Sequence, residues 1–452
     1  MTHQRIRIVV VGGGFGGVYA AAYLARSELA ERASVTLVDR KNYFTFTPLL
    51  PEVAAGILGR EHVTYPYRAL AHKYGIAFVQ DAATAVDLGA KVLITETTRL
   101  PYDYLILCVG AEPKYFGNDG LARWSVPLTS VPEALTIRDR VVHMLEQASV
   151  APNAAERERL TTVVVAGAGP AGVEIASEIQ HLANDVLRPF YQFAPRARVI
   201  IMDPSERILN GFDAGLAADG LQRLRERGVE VRLGTRIEEA TATAVTSRRN
   251  GVVDRVPAGL FVWTAGTGPP AWVGSLGMPV ERGALVVSPT LQVNGHEHVF
   301  AVGDVSTLID ARTGSPYPRV APIAISQGTR AAANIENHIL GRPLEAYVAH
   351  HAGKIVSLGD GVALVDLLGV RLTGRIAWWI YRATYLLKLV GLRSKAHVLT
   401  SLALQGIFGQ DISGERPASH SASHTASHTA SSTTSHTAGR TAGPADGGVA
   451  TI

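Results

Sequence analysis

Two glycine-rich loops of the same spacing constrain this chain more than anything else in it. The first reads Gly12-Gly13-Gly14-Phe15-Gly16-Gly17 after the apolar run Ile6 to Val11. The second reads Gly167-Ala168-Gly169-Pro170-Ala171-Gly172 after Val163-Val164-Val165-Ala166. Each is a G-x-G-x-x-G sequence between a strand pattern and a helix pattern. Gly12 and Gly167 suit the tight turn, and Gly14 and Gly169 suit close approach of a pyrophosphate. Gly17 and Gly172 suit packing of the helix on the strand. A helix N-terminus with free N–H groups then faces the diphosphate. One such loop is weak evidence. Two predict an α/β protein with two Rossmann-like dinucleotide-binding domains, and the usual reason to hold two dinucleotides is to pass a hydride between them.

Each loop has an acidic partner. Val35-Thr36-Leu37-Val38-Asp39 reads as a second strand ending in a carboxylate that can accept from ribose hydroxyls, about 20 residues past Gly17 as the fingerprint asks. Val199-Ile200-Ile201-Met202-Asp203 repeats the pattern, with a longer gap after Gly172. The bland alternative for either is a surface acid after a strand. At Asp203 a carboxylate would repel a 2′-phosphate, which favours NADH over NADPH, although Arg207 follows closely and opposes that argument. A third strand pattern, Val299-Phe300-Ala301-Val302, ends in Gly303-Asp304. Alone this is a turn signal. After two dinucleotide loops it predicts a contact to a ribityl chain, with Gly303 allowing close backbone approach.

These motifs, in this order, resemble the two-dinucleotide flavoproteins and, within them, the type II (non-proton-pumping) NADH dehydrogenases. The likeness runs from about Arg5 to about Ile412. Arg40 to Pro51, which includes Thr47, Pro48 and Leu49, is similar to that family's flavin-contacting segment. Tyr102 to Ala111 resembles the returning strand of its FAD domain, and Phe261 to Gly266 the strand that closes its NADH domain. The resemblance implies non-covalent FAD, with NADH as substrate. The cofactor-binding set it implies adds Phe15, Gly16, Arg40, Thr47, Pro48, Leu49, Gly110, Pro170, Gly266 and Ala324 to Asp39, Asp203, Gly303, Asp304 and the loop glycines.

The motif order predicts a first part of the FAD domain over 1–118, an NADH domain over 119–266 and a second FAD part over 267–345. A small C-terminal membrane-associating region follows over 346–412, then a tail over 413–452. At 452 residues the chain can bury more than one core, and 45 glycines suit nucleotide-binding folds. The net charge of +4 is too mild to argue for nucleic acid. Cys108 is the only cysteine, so no cysteine pair can do disulfide chemistry and the thiol reads as a small core residue. The tail repeats Ala-Ser-His-Thr around His420, His424, His428 and His436. Its composition cannot offset an ordering entropy of roughly 1–2 kcal/mol per residue, so it reads as solvated rather than metal-binding.

Leu372 to Leu392 carries Trp378, Trp379, Tyr381 and Tyr385 among Arg375, Arg382 and Lys388. Arg393, Lys395 and a second apolar stretch, Val398 to Phe408, follow. Aromatics beside cations suit an amphipathic interfacial helix, and the resemblance implies the same. A core helix or a dimer contact is the alternative, and a homodimer stays open. No apolar run is long enough to span a bilayer. With no secretory signal before the first strand, the expected location is peripheral, on the cytoplasmic face of the cell membrane.

The resemblance also assigns catalytic parts. Glu174, in the first turn of the NADH-domain helix, matches a glutamate implicated in proton delivery; the alternative is a carboxylate stabilised by the helix N-terminus, an effect of ~0.3–1 kcal/mol. Near the acceptor the family carries glutamines, of which only Gln327 is present here, with Pro322 and Ser326 in the other places. The expected activity is FAD-dependent NADH:quinone oxidoreduction, the quinone being menaquinone or ubiquinone. The rivals are a soluble electron acceptor or an NADH-sensing flavoprotein with little turnover.

Overall fold

A computed structural model describes residues 5–415 apart from 192–194, 350–352, 360, 368, 390–391, 409 and 411. The histidine-bearing tail from 418 onward lies outside the described residues, as does the Arg393 side chain. The apolar run Ile6–Val11 forms the central strand of a sheet ordered Gln292–Val293, His296–Ala301, Tyr104–Leu107, Ile6–Val11, Ala33–Asp39 and Ala77–Gln80. Neighbouring strands are parallel except at the Gln292–Val293 edge. Parallel strands are covered on both faces, which is why they read as unbroken apolar runs rather than alternating ones. A second sheet is ordered Val126–Pro127, Leu260–Trp263, Thr162–Ala166, Arg198–Met202 and Val229–Arg232, all parallel. The fold is thus the doubly wound α/β arrangement expected, built twice.

In both sheets the strand before the glycine loop has neighbours that leave in opposite directions. Ile6–Val11 lies between Ala33–Asp39 and Tyr104–Leu107, and Thr162–Ala166 lies between Arg198–Met202 and Leu260–Trp263. Such a switch point opens a crevice at the carboxyl end of the strands, and ligands bind there. The chain passes between the sheets twice, along Glu112–Pro113 and Thr267–Gly268, which pair antiparallel.

Three-stranded antiparallel sheets lie outside this plan, over Ala83–Pro101 and Thr235–Pro257. A third covers Lys354–Ser357, Ala363–Leu367 and Val370–Gly374. The C-terminal region therefore begins as a sheet, not as the helix expected from Leu372. Gly374, at φ 81°, ends the last strand and caps the helix Arg375–Lys388. A second helix, Leu392–Phe408, follows. Among the described residues no helix is long and apolar enough to cross a membrane.

Candidate active site

The two glycine loops have almost the same geometry. Gly12 and Gly167 take φ of +95° and +101°, the left-handed side where a Cβ is strained. A Cβ on Gly12 would lie 2.3 Å from the Cys108 carbonyl oxygen, and one on Gly167 would lie 2.8 Å from Thr264 Oγ1. Gly17 and Gly172 press their helices onto the turns: a Cβ on either would sit 1.9 Å from the carbonyl oxygen of Gly12 or Gly167. Gly14 and Gly169 cap the helices Phe15–Leu24 and Pro170–His181, and a Cβ at either would meet no protein atom within 4 Å. That open volume faces each helix N-terminus, with Pro170 as the first residue of the second helix.

Asp39 and Asp203 are equivalent too. Asp39 Oδ2 accepts from Gly13 N at 2.6 Å and Oδ1 from Lys41 N at 2.7 Å. Asp203 Oδ2 accepts from Ala168 N at 2.8 Å and Oδ1 from Ser205 N at 2.8 Å. Each carboxylate bridges its loop to the strand end, and each oxygen keeps a lone pair for a ribose hydroxyl. Burial raises the Asp39 pKa, against the lowering effect of the two amides. Arg207 turns to Asn210, donating to its carbonyl oxygen at 3.0 Å. Arg40 lies on the surface against Glu112, 3.3 Å away.

The first cradle is closed by parts far away in sequence. Tyr67, buried, donates to the Gly13 carbonyl at 2.6 Å; nothing in its sequence surroundings marks it. A Cβ on Gly16 would touch Val302 and the Ala324 carbonyl, and one on Gly303 would lie 3.2 Å from Ala324 Cβ. Gly303, at φ +71°, donates its N–H to Gln327 Oε1 at 2.8 Å. Gln327 thus fixes the Gly-Asp turn from the helix Ala321–Ile339. Asp304, Tyr317, Arg319 and Gln327 line a cavity here. Burial raises the Asp304 pKa and Arg319 opposes it. Thr47, Pro48 and Leu49 form a 3₁₀ turn after the Phe44–Phe46 stretch, against which Phe15 packs. Gly110 and Gly266 stand at the ends of the two returning strands, both at positive φ. The residues present fit a flavin dinucleotide: an open helix N-terminus, a bridging carboxylate and a partly buried acid on a cavity wall. Pro322 opens the Ala321–Ile339 helix, and Ser326 hydrogen-bonds Tyr347 at 2.7 Å.

The helix of the second cradle begins in a different environment. Glu174 is 7 % exposed and accepts from Ser357 N at 3.1 Å. Burial raises its pKa well above the ordinary value; the Ser357 amide opposes this, and Glu52 and Glu178 add to it. Burial thus shifts its balance toward the protonated form relative to an exposed carboxyl. Glu52, on the helix Leu50–Ala54, is 1 % exposed; it accepts from Tyr381 Oη at 2.8 Å and pairs with Arg382. Tyr385 stacks edge-on against Tyr381 at 4.6 Å and Phe46 at 5.8 Å, and Phe46 meets Phe15 at 5.6 Å. An aromatic row therefore runs from the first glycine loop to the C-terminal helix. Sequence reading placed Tyr381, Tyr385 and Arg382 among lipid-facing residues. The helical period instead turns Ala377, Tyr381 and Tyr385 inward and leaves Ile376, Trp379 and Leu387 outward, at 69, 67 and 75 % exposure. Among the described residues no cluster suits a metal ion.

Two cradles served by one junction define a pyridine-nucleotide oxidoreductase. The model of the pyridine nucleotide-disulphide oxidoreductase family matches residues 6–328. Two curated type II NADH:quinone oxidoreductases of Mycobacterium tuberculosis, Ndh and NdhA, are 30 % and 32 % identical to the chain. They match over 88 % and 87 % of it and 87 % and 86 % of their own lengths. The chain belongs to the type II NADH:quinone oxidoreductases. The fold is shared by NDH2 of Plasmodium falciparum in complex with NADH, at 18 % identity and a TM-score of 0.85 over 90 % of this chain and all of that one. It is shared less closely by the sulfide:quinone oxidoreductase of Aquifex aeolicus, at 21 % identity and a TM-score of 0.69 over 90 % of this chain and 96 % of that one. Cys108 is buried, and burial raises its thiol pKa, so thiol chemistry has no foothold here.

Proposed function

We propose that the chain is an FAD-dependent, non-proton-pumping NADH:quinone oxidoreductase working on the cytoplasmic face of a membrane, with Glu174 as its proton donor. The first loop, Asp39, Thr47, Gly303 and Asp304 hold FAD, which supplies the hydride-accepting and electron-passing chemistry when bound. The second loop and Asp203 hold NADH. The reaction consumes NADH, quinone and one proton, and yields NAD⁺ and quinol. The hydride carries both electrons and one of the two protons, so the protein must supply the other. The observation that carries this reading is the buried Glu174 carboxyl at the aromatic-lined junction of the two cradles and the C-terminal helix. A carboxyl shifted toward its protonated form there can give its proton to a quinone oxygen and refill from solvent. Ile376, Trp379 and Leu387, with Arg375 and Lys388, form an outer face suited to the lipid headgroup region.

The test is anaerobic stopped-flow. Enzyme reduced by NADH is mixed with a short-chain ubiquinone or a menaquinone analogue, with and without anionic vesicles. Rapid reoxidation by a quinone is expected; reoxidation by soluble oxidants alone would place the acceptor elsewhere. In vesicle sedimentation, Trp379→Ser with Leu387→Ser should weaken binding by roughly tenfold or more, since each buried apolar side chain contributes about 1.5–3 kcal/mol. Unchanged sedimentation would remove this face from the membrane contact.

A further inference from the structure

Phe116 occupies a backbone position that its own side chain does not favour. The N–H of Asn118 donates to the Tyr115 carbonyl at 3.0 Å, closing a four-residue turn. The two central residues, Phe116 and Gly117, both take positive φ, +54° and +78°. That is the pattern of a type I′ turn, where glycine, asparagine and aspartate are the usual residues. For a bulky side chain the left-handed region is an outlier. Both flanks hold the turn in place. On one side Lys114 N donates to the Gly266 carbonyl at 3.1 Å, next to the paired strands Glu112–Pro113 and Thr267–Gly268. On the other, Asn118 Oδ1 accepts from Leu121 N at 3.1 Å, and Asn118 Nδ2 donates to the Glu238 carbonyl at 2.7 Å. Packing of the ring does not return the cost, because Phe116 is 78 % exposed. Strain that its surroundings enforce and its own burial does not offset points to a ligand contact.

The atoms that the ring does reach locate it. A Cβ on Gly266 would lie 3.1 Å from Phe116 Cζ, so the ring tip stands against that glycine. Gly266 follows the strand Leu260–Trp263 and Thr264. Thr264 Oγ1 in turn would lie 2.8 Å from a Cβ on Gly167 and 2.7 Å from one on Gly172. A dinucleotide lies across the crevice of such a switch point, with its diphosphate at the helix N-terminus. Asp203 follows the strand on one side of Thr162–Ala166 and takes the adenosine ribose. The nicotinamide half therefore runs to the other side, over the end of Leu260–Trp263, where Gly266 has no side chain and Phe116 stands. The chain reaches this point directly from the flavin sheet, through Gly110 and Glu112–Pro113. The ring thus stands at the passage between the two cradles.

Resting on the reading of the second cradle as the NADH site, we infer that Phe116 is a substrate-binding residue. Its exposed ring is the apolar wall against which the nicotinamide lies as it meets the flavin.

The test uses the flavin-loaded enzyme. Phe116→Gly removes the ring and suits the turn, so its melting temperature should stay within about 2 °C of wild type, with flavin content unchanged. In anaerobic stopped-flow, the NADH concentration that half-saturates flavin reduction should rise about tenfold, the loss expected of one aromatic contact. Reoxidation of the reduced enzyme by quinone should match wild type. Phe116→Tyr, which keeps the ring, should retain the wild-type half-saturation within about twofold. ADP-ribose, which is NADH without its nicotinamide, should inhibit wild type and Phe116→Gly with equal affinity. An unchanged NADH half-saturation in Phe116→Gly overturns the inference. So does equal weakening of NADH and ADP-ribose, or loss of FAD. Gly169→Val separates this inference from the reading beneath it. If NADH-driven reduction survives in that variant, the assignment of the second cradle falls and takes this inference with it. If it is lost there while Phe116→Gly behaves as wild type, only the role of Phe116 falls.

Discussion

The two dinucleotide cradles share a backbone and differ in what surrounds it. At the first, only Gly14 is exposed; Phe15 is half-buried and Gly16 is buried under Ala324. At the second, Gly169, Pro170 and Ala171 are all exposed in succession. The first is further latched by Tyr67 on Gly13 and by the Ala321–Ile339 helix, while the second has an open rim. The helices differ as well. Phe15–Leu24 carries no acid, whereas Pro170–His181 buries Glu174 and Glu178. The contrast suits a cofactor that stays and a substrate that must leave each turnover. It also teaches that the glycine pattern specifies the cradle, while residence and proton chemistry are set by what packs over it.

The comparison is broken most directly at the two open glycines. Gly14→Val should leave the purified protein without flavin, its absorbance spectrum showing at least roughly a tenfold loss of FAD, a change of about 1.4 kcal/mol or more in binding. Gly169→Val should stay yellow but lose NADH-driven flavin reduction by about a hundredfold or more, because the side chain enters the space before the helix N-terminus. Equal flavin loss in both would show that the cradles are not specialised.

Glu174→Gln sharpens the contrast at the second helix. Reoxidation by quinone should slow by about 10²-fold, in the usual range for a general acid, while flavin reduction by NADH stays within about threefold. The same variant should be more stable at neutral pH. Because the folded-state pKa is raised, wild type loses stability as pH climbs from the ordinary carboxylate range through that raised value. The variant loses none, and the melting curves should converge in acid. Each kcal/mol relieved corresponds to roughly 2–4 °C. Equal slowing of both half-reactions would mark the residue as structural.

The smallest effect concerns cofactor choice. Asp203→Ser should lower the NADH over NADPH preference in kcat/KM by about tenfold. Arg207, turned to Asn210, is then free to be recruited, and Arg207→Ala in that background should restore part of the preference. An unchanged ratio would place Asp203 away from the ribose and leave it as a brace for Ala168 and Ser205.

The α/β plan was legible because its signals are local: a run of β-branched residues, a glycine turn and an acid at the next strand end. Glu52 was not. It reads as an acid in a short apolar segment, and its partner lies 330 residues away. The C-terminal helix was legible as amphipathic but not in its facing. Clustering of tryptophan, tyrosine and arginine names a helix suited to an interface; only the period, together with the Glu52 pocket, sends Tyr381 and Arg382 inward. The antiparallel sheet before that helix was missed because its strands are short and broken by glycines, which sequence reading takes for turns.

The paired crossing strands have a consequence for modularity. Glu112 lies opposite Gly268, so the chain leaves the first sheet and returns to it at neighbouring points. A two-residue turn suffices to join antiparallel neighbours. The entire intervening segment can in principle be excised and the cut ends sewn together without stretching the remainder. Insertion at such a site is the simplest way for one ancestral module to acquire a second without refolding the first. The two crossings also tie the two sheets to each other at adjacent points of the chain path.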